Sequence, residues 1–449
     1  MKDLTKGNVF KTLISFSLPI IGGNLFQLLY NFSDSLIVGN ILGVNELAGV
    51  GATGSLNFFV VGFASGVCTG FSIVVARLFG AKDEGELKKS IAHSLALAFL
   101  IGLVLSVGSV LMLDTILGWM NTPKDIYRHS YNYIGIIFGG IVITMMYNVL
   151  AGHLRSVGDS KSPLYVLIVS SIVNIVLDII CMGVLPWGVA GAAIATLFSQ
   201  LLSVVLCLII IFRKYKKLIP AKKDYAFDKK LTKELLGQGI SMGIMGSFIA
   251  VGNIMVQSAL NTLGTVYVAA NTAAHKISQL FMQPLGTLGT AMATFSSQNL
   301  GAGKIDRVKT GLRCANIMST AWSAFSMICS FVIGPLLIGL LVKDSSGNAA
   351  LVVTEGSTYL RAHLSFFFFL GPLFIYRNTL QGIGNKTQPL FSSFLELGIK
   401  IVTSLWIAPA LGYIGIVFCE PVSWVFCMIL LVVFFYTDKR VKALKMNKA

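Results

Sequence analysis

Runs of about 20 or more mostly apolar residues recur from one end of this chain to the other, and no other feature restricts its fold as strongly. A helix of that length rises far enough to cross the roughly 30 Å hydrocarbon layer of a bilayer. Twelve such runs are legible, centred in 13–40, 47–75, 91–113, 131–152, 164–185, 188–212, 238–262, 268–297, 312–342, 359–380, 390–411 and 413–436. Only 12% of the residues are charged and 55% are hydrophobic, about half the charge of an ordinary soluble domain. The expected fold is therefore an all-α integral membrane protein. The apolar stretch after Lys11 stays uncharged too long, and is followed by too much of the same, for a cleaved signal peptide.

The seven cysteines lie singly inside apolar runs, without CxxC or Cys/His clusters, which argues against disulfides and structural zinc. The net charge of +16 would suit nucleic acid, but the basic residues fall between the runs and no aromatic and basic stripe accompanies them. Their alternation has another meaning. Lys and Arg concentrate on one side, 29 of 35 in the amino terminus, alternate loops and tail, as cytoplasmic loops do. Both termini are thus expected in the cytoplasm, in a multi-pass protein of the inner membrane.

The longest polar interruption, RKYKKLIPAKKDYAFDKKLTK, divides the chain near its middle. An amino-terminal lobe at 1–212, a basic linker at 213–235 and a carboxyl-terminal lobe at 236–449 are expected, with six runs each. The halves repeat one another. ILGVNELAGVGAT pairs with TLGTVYVAANTAA, and RLFGAKDEGELKKS with QNLGAGKIDRVKTG, at a shift of 221; RSVGDSKSP pairs with QGIGNKTQP at 226, and WGVAGAA with LGYIGIV at 224. Six crossings per copy give both copies one orientation, so two pseudo-symmetric bundles around a central cavity are expected, the plan of a rocking transporter.

Four acids lie deep in the runs: Asp34, Asp178, Glu396 and Glu420. A charge at the bilayer centre costs about 2.5–3.5 kcal/mol on insertion scales, so each needs a partner or a task. Asp178 sits one helical turn beyond Asn174, so the two share a face. Asp34 is flanked by Asn31, Ser33 and Ser35, and Thr196 is the polar residue of AGAAIATLFSQ. Carboxylates with amide and hydroxyl oxygens suit Na⁺, and a desolvated carboxyl equally suits a proton. A buried network that merely locks helices is the competing account.

Pro19, Gln27, Tyr30 and Asp34 in LPIIGGNLFQLLYNFSDSLIVG, the NIVLD of Asn174–Asp178 and the GAAIATLFSQ around Thr196 resemble the multidrug and toxic compound extrusion (MATE) family in its bacterial DinF-like branch, over essentially the whole chain. The resemblance implies a proton or cation site at Asp34, a cation site at Asn174, Asp178 and Thr196, and a bend at Pro19, where the missing backbone hydrogen bond already favours a hinge. The chain departs from the NorM-like branch, since SMGIMGSFIAVGNIMVQSAL and LSFFFFLGPLFIY carry no acid for a carboxyl-lobe cation site.

The repeat offers a reason for that difference. At a shift of 226, Lys400 falls opposite Asn174, with Glu396 one turn before it, so an intrahelical ion pair is expected to put an ammonium where the other lobe would hold a cation. Glu420, just before Pro421, is a further candidate cavity acid. Lys276 either faces the cavity or snorkels to the interface. The histidines show no metal spacing, and no resident cofactor is expected.

The function expected is a secondary antiporter, a monomer in the bilayer, exporting lipophilic and often cationic small molecules against H⁺ or Na⁺. No Walker A sequence could use ATP. A lipid-linked oligosaccharide flippase is the alternative, weakened by the scarcity of arginine in the runs. Enzymes are disfavoured, because neither GxGD nor HExxH occurs.

Overall fold

The computed structural model describes residues 3–120, 122–185, 187–341 and 348–446. Lys343, one of the few basic residues expected off the cytoplasmic side, lies outside them. The described residues hold helices and turns without a strand. In chain order the helices are α1 (Val9–Ile41), α2 (Val44–Ala52), α3 (Gly54–Ala81), α4 (Glu84–Leu111), α5 (Leu113–Trp119), α6 (Lys124–Gly139), α7 (Ile141–Ser156), α8 (Lys161–Ile179), α9 (Gly188–Lys214) and α10 (Lys229–Asn261). They continue with α11 (Thr265–Gly301), α12 (Ile305–Val332), α13 (Gly334–Gly339), α14 (Ala349–Ser365), α15 (Phe367–Gly382), α16 (Thr387–Val402), α17 (Ala408–Leu411), α18 (Tyr413–Thr437) and α19 (Lys439–Met446).

Among the described residues, nine helices, some continued through a short π-helical or broken end, are long and apolar enough to cross a membrane, and two bent pairs, α6 with α7 and α14 with α15, bring the count to 11. The expected twelfth, α11, misses that measure through its polar residues but is the longest of the described helices, at 37 residues.

Backbone conformation carries the repeat more sharply than residue identity does. Apart from Gly7, the left-handed residues among those described occur in pairs: Gly43 with Gly264, Lys82 with Gly303, Gly158 with Gly384, and Gly188 with Gly412. Their separations are the 221, 221, 226 and 224 of the sequence matches. Glycine holds seven of the eight places because it alone adopts that conformation without Cβ strain. Both bent pairs turn by 47°, at Gly140 and Phe366, again 226 apart. Each copy also carries one π-helical turn, at Ile180–Val184 and Thr403–Ile407.

The chain forms two compact units. The first is built mainly from Leu18–Ser247, the second from Leu4–Ser17 and Phe248–Ala449. The segment expected as a linker, 213–235, contains the end of α9, two 3₁₀ turns at Lys216–Leu218 and Lys222–Tyr225, and the start of α10.

In the first unit, Phe71, Phe138, Met145, Leu150 and Leu154 are fully buried. Here α3 meets α10 backbone to backbone: a Cβ on Gly66 would lie 2.7 Å from the Met242 carbonyl oxygen, and one on Gly70 2.6 Å from that of Gln238. Spacing of small residues by four lets helices approach this closely. Arg77 grips Glu234 across the same pair of helices with two hydrogen bonds. In the second unit, Phe295, Phe367 and Phe435 are buried, and the amino-terminal segment is held by Arg307, which donates to the carbonyls of Lys6 and Gly7 at 2.7 Å each.

Each unit also ties the loop before its fifth long helix to the residue after its sixth. Asp159 accepts from the backbone of Lys161 and Ser162 at the start of α8, and from the Tyr215 hydroxyl at 2.5 Å. At the equivalent place Asn385 donates to Asp438 at 3.1 Å, so donor and acceptor have changed places. Partial burial pushes Asp159 up, but hydrogen bonds from Ser162, Tyr215 and Lys161 outweigh it and hold the carboxyl below the usual range.

Candidate functional site

The first unit gathers Tyr30 and Asp34 from α1, Asn174 and Asp178 from α8, and Thr196 from α9. Asn174 and Asp178 are fully buried, Thr196 and Asp34 nearly so. The one-turn spacing along α8 puts the amide and the carboxyl on one face, and the π turn that follows shifts the helix just beyond them. Tyr30 Oη and Thr196 Oγ1 lie 3.1 Å apart. The amide of Asn174 is satisfied when its NH₂ donates to Asp178 Oδ2 at 2.9 Å and its oxygen accepts from Thr196 N at 3.3 Å.

Asp34 and Asp178 bring their side chains close enough for each to act on the other's charge. Two carboxyls so placed can hydrogen-bond only with a proton between them. One oxygen of each, Oδ1, is buried without a partner. Such atoms are costly in an apolar setting and cluster where a ligand or proton is exchanged. All four residues expected from the sequence to bind the coupling ion thus meet in one place, and Tyr30 joins them. Gln27 is exposed on α1 and Pro19 is part-buried within it; Lys276 is exposed on α11.

In the second unit the expected Glu396–Lys400 pair is present, but it is the weaker part of a cluster. Lys400 Nζ lies 3.7 Å from Glu396 Oε1 and 2.9 Å from both Glu420 Oε1 and Asn253 Oδ1. Glu396 is instead held by Arg377, at 2.8 Å. Arg377 is buried within α15, a residue that the sequence analysis did not single out. An arginine inside an apolar helix needs an anion, and the nearby Glu396 was the available signal. Glu420 Oε2 also lies 3.8 Å from His363 Nδ1. No group of three or more His, Cys, Asp or Glu suited to a metal occurs among the described residues.

A family profile described as MatE matches residues 19–180 and again 242–406, one match per copy of the repeat. Probable multidrug resistance protein YoeA of Bacillus subtilis (strain 168) is 29% identical over 413 residues, 88% of this chain and 86% of that protein. Multidrug export protein MepA of Staphylococcus aureus (strain N315) is 22% identical over 438 residues, 97% and 95% of the two. A solved structure described as the outward-facing conformation of a multidrug resistance MATE family transporter of the MOP superfamily has a similar fold, with a TM-score of 0.89 at 23% identity over 99% of each chain. With the profile covering both copies and more than half of the residues, the chain belongs to the MatE family of multidrug efflux transporters, multi-pass membrane proteins and not enzymes.

Proposed function

We propose that this protein is a secondary antiporter that exports lipophilic, often cationic molecules, with a proton taken up between Asp34 and Asp178 as the coupling ion. The observation that carries this reading is the facing pair of buried carboxyls, each with one unpartnered oxygen. Na⁺ is the second reading, and the Asn174 amide speaks against it. Its oxygen is occupied by the backbone of Thr196 and its NH₂ points at Asp178, so it offers the site a donor where a metal ion needs an oxygen.

A ligand shifts a conformational equilibrium only through unequal affinity for its states. Losing the shared proton places two negative charges side by side in a buried site, and α1 and α8 repack in response. A cationic substrate gains from that extra charge, and a proton returning to the pair opposes it. This reciprocity is what exchange requires. The alternation of basic residues supports a reading with both termini in the cytoplasm and the protein in the cytoplasmic membrane, where it works as a monomer.

Dye efflux from proteoliposomes under separately imposed pH and Na⁺ gradients tests the reading. Wild type should respond to the pH gradient, and Asp34→Asn and Asp178→Asn should abolish that response. Unchanged gradient-driven efflux in both variants would remove the pair from the mechanism, and a response to Na⁺ alone would replace the proton.

A further inference from the structure

The two units share a scaffold but not a chemistry at one place in it. The helices α8 and α16 begin 226 residues apart, so Lys400 stands where the first unit has Asn174. The shift of 224 between Gly188 and Gly412, both left-handed at the entry to α9 and α18, puts Glu420 where the first unit has Thr196. Neighbours in one copy are neighbours in the other. Asn174 meets the backbone of Thr196, and Lys400 meets Glu420.

An alkylammonium carries three N–H bonds, and three oxygens lie about Lys400 Nζ: Glu420 Oε1 and Asn253 Oδ1 at 2.9 Å, and Glu396 Oε1 at 3.7 Å. The lysine stem passes a notch in α10, where a Cβ on Gly252 would come within 2.8 Å of Lys400 Cδ. On its far side Glu396 is held by Arg377, so the two carboxylates and two cations balance. Without the lysine the cluster keeps an excess negative charge and three oxygens converging on one ammonium-sized point. A pocket of about 80 Å³ adjoins it, lined in part by Asn253, Glu420, His275 and His363.

We propose that Lys400 is the covalently tethered occupant of a cation seat in the carboxyl half, and that a free primary alkylammonium takes that seat once the lysine side chain is removed. The consequence for transport, which rests on the reading of Asp34 and Asp178 above, is that one half is permanently loaded and coupling ions enter the amino half alone.

The test uses full-length Lys400→Ala in detergent, with n-propylammonium chloride as the probe and potassium chloride at equal ionic strength as the control. Thermal unfolding is the readout, so the result is independent of whether Asp34 and Asp178 couple transport. The variant should unfold below wild type, and propylammonium should restore at least half of the deficit in a saturable manner. Wild type should not respond, and neither should Lys400→Ala combined with Glu420→Gln. If Lys400→Ala does not fold, Lys400→Val empties the same ammonium seat with more of the stem retained, and ethylammonium becomes the probe. An equal effect of potassium, or no effect of either amine, overturns the proposal.

Discussion

The contact between α3 and α10 makes a prediction whose sign, and not only its size, is decided by geometry. In an uncrowded helix, Gly→Ala stabilises by up to about 1 kcal/mol because alanine loses less backbone freedom. At Gly70 the added Cβ would lie 2.6 Å from Gln238 O and from Gly239 Cα, and 2.7 Å from Gln238 C. All three are backbone atoms and none can rotate away. Relief requires the helices to part until those separations reach at least 3.4 Å, which also strains the Arg77–Glu234 grip. Overpacking of this kind costs about 1–3 kcal/mol. Gly62, two turns earlier on the same helix, has nothing within 4 Å of an added Cβ, so Gly62→Ala is the internal control. Unfolding of the purified variants in mixed micelles should show Gly70→Ala less stable than wild type and Gly62→Ala equal or more stable. The reasoning fails if Gly70→Ala is as stable as wild type, or if both variants lose stability alike.

Three further outcomes are expected. Arg377→Gln leaves the buried Glu396 carboxylate only the more distant Lys400, at 3.7 Å, and should cost about 3 kcal/mol, whereas Arg377→Gln with Glu396→Gln should recover much of it; folded yield and unfolding midpoints compare them, and an additive double variant would refute the pairing. Removing the Asp159 side chain loses a helix cap and a charged hydrogen bond, about 2–3 kcal/mol together, and a cycle with Tyr215→Phe should be non-additive. Because the folded Asp159 carboxyl is held below its unfolded value of about 3.9, its contribution is present above that pH and is lost as pH falls through the lower folded value; the gap between wild type and Asp159→Asn should thus be flat down to about pH 4 and close below it. Finally, Arg307→Gln should release the segment around Lys6 and Gly7 and speed its limited proteolysis, with unchanged cleavage speaking against that anchoring.

The parts of this architecture legible in the sequence are those with a local physical cause. Apolar length exposes the spans, and the need for glycine at left-handed turns exposes the repeat, because Gly43, Gly158 and Gly188 recur with their surroundings. Lys82 weakens the signal at one turn by taking a conformation its partner Gly303 adopts freely. The helix α11 reads poorly because a span packed inside a bundle need not be apolar all round. Asp178 and Asn174 declare a shared face through spacing alone, but the approach of Asp34 from another helix is tertiary, and only the family resemblance pointed to it. For the same reason the one-turn rule found Glu396 beside Lys400 and missed the closer partners, Glu420 and Asn253, which arrive from α18 and α10.

The threading of α1 and α10 has a consequence for any attempt to divide the molecule. Val9–Ser17 belongs with the second unit and Lys229–Ser247 with the first, so a cut in the polar stretch between 219 and 228 separates two pieces that each lack helical turns supplied by the other. Neither fragment alone holds all the material of its own fold. Co-expressed from separate genes, they should be recovered only together, as complementing halves that must exchange helix ends to become soluble in detergent as folded protein.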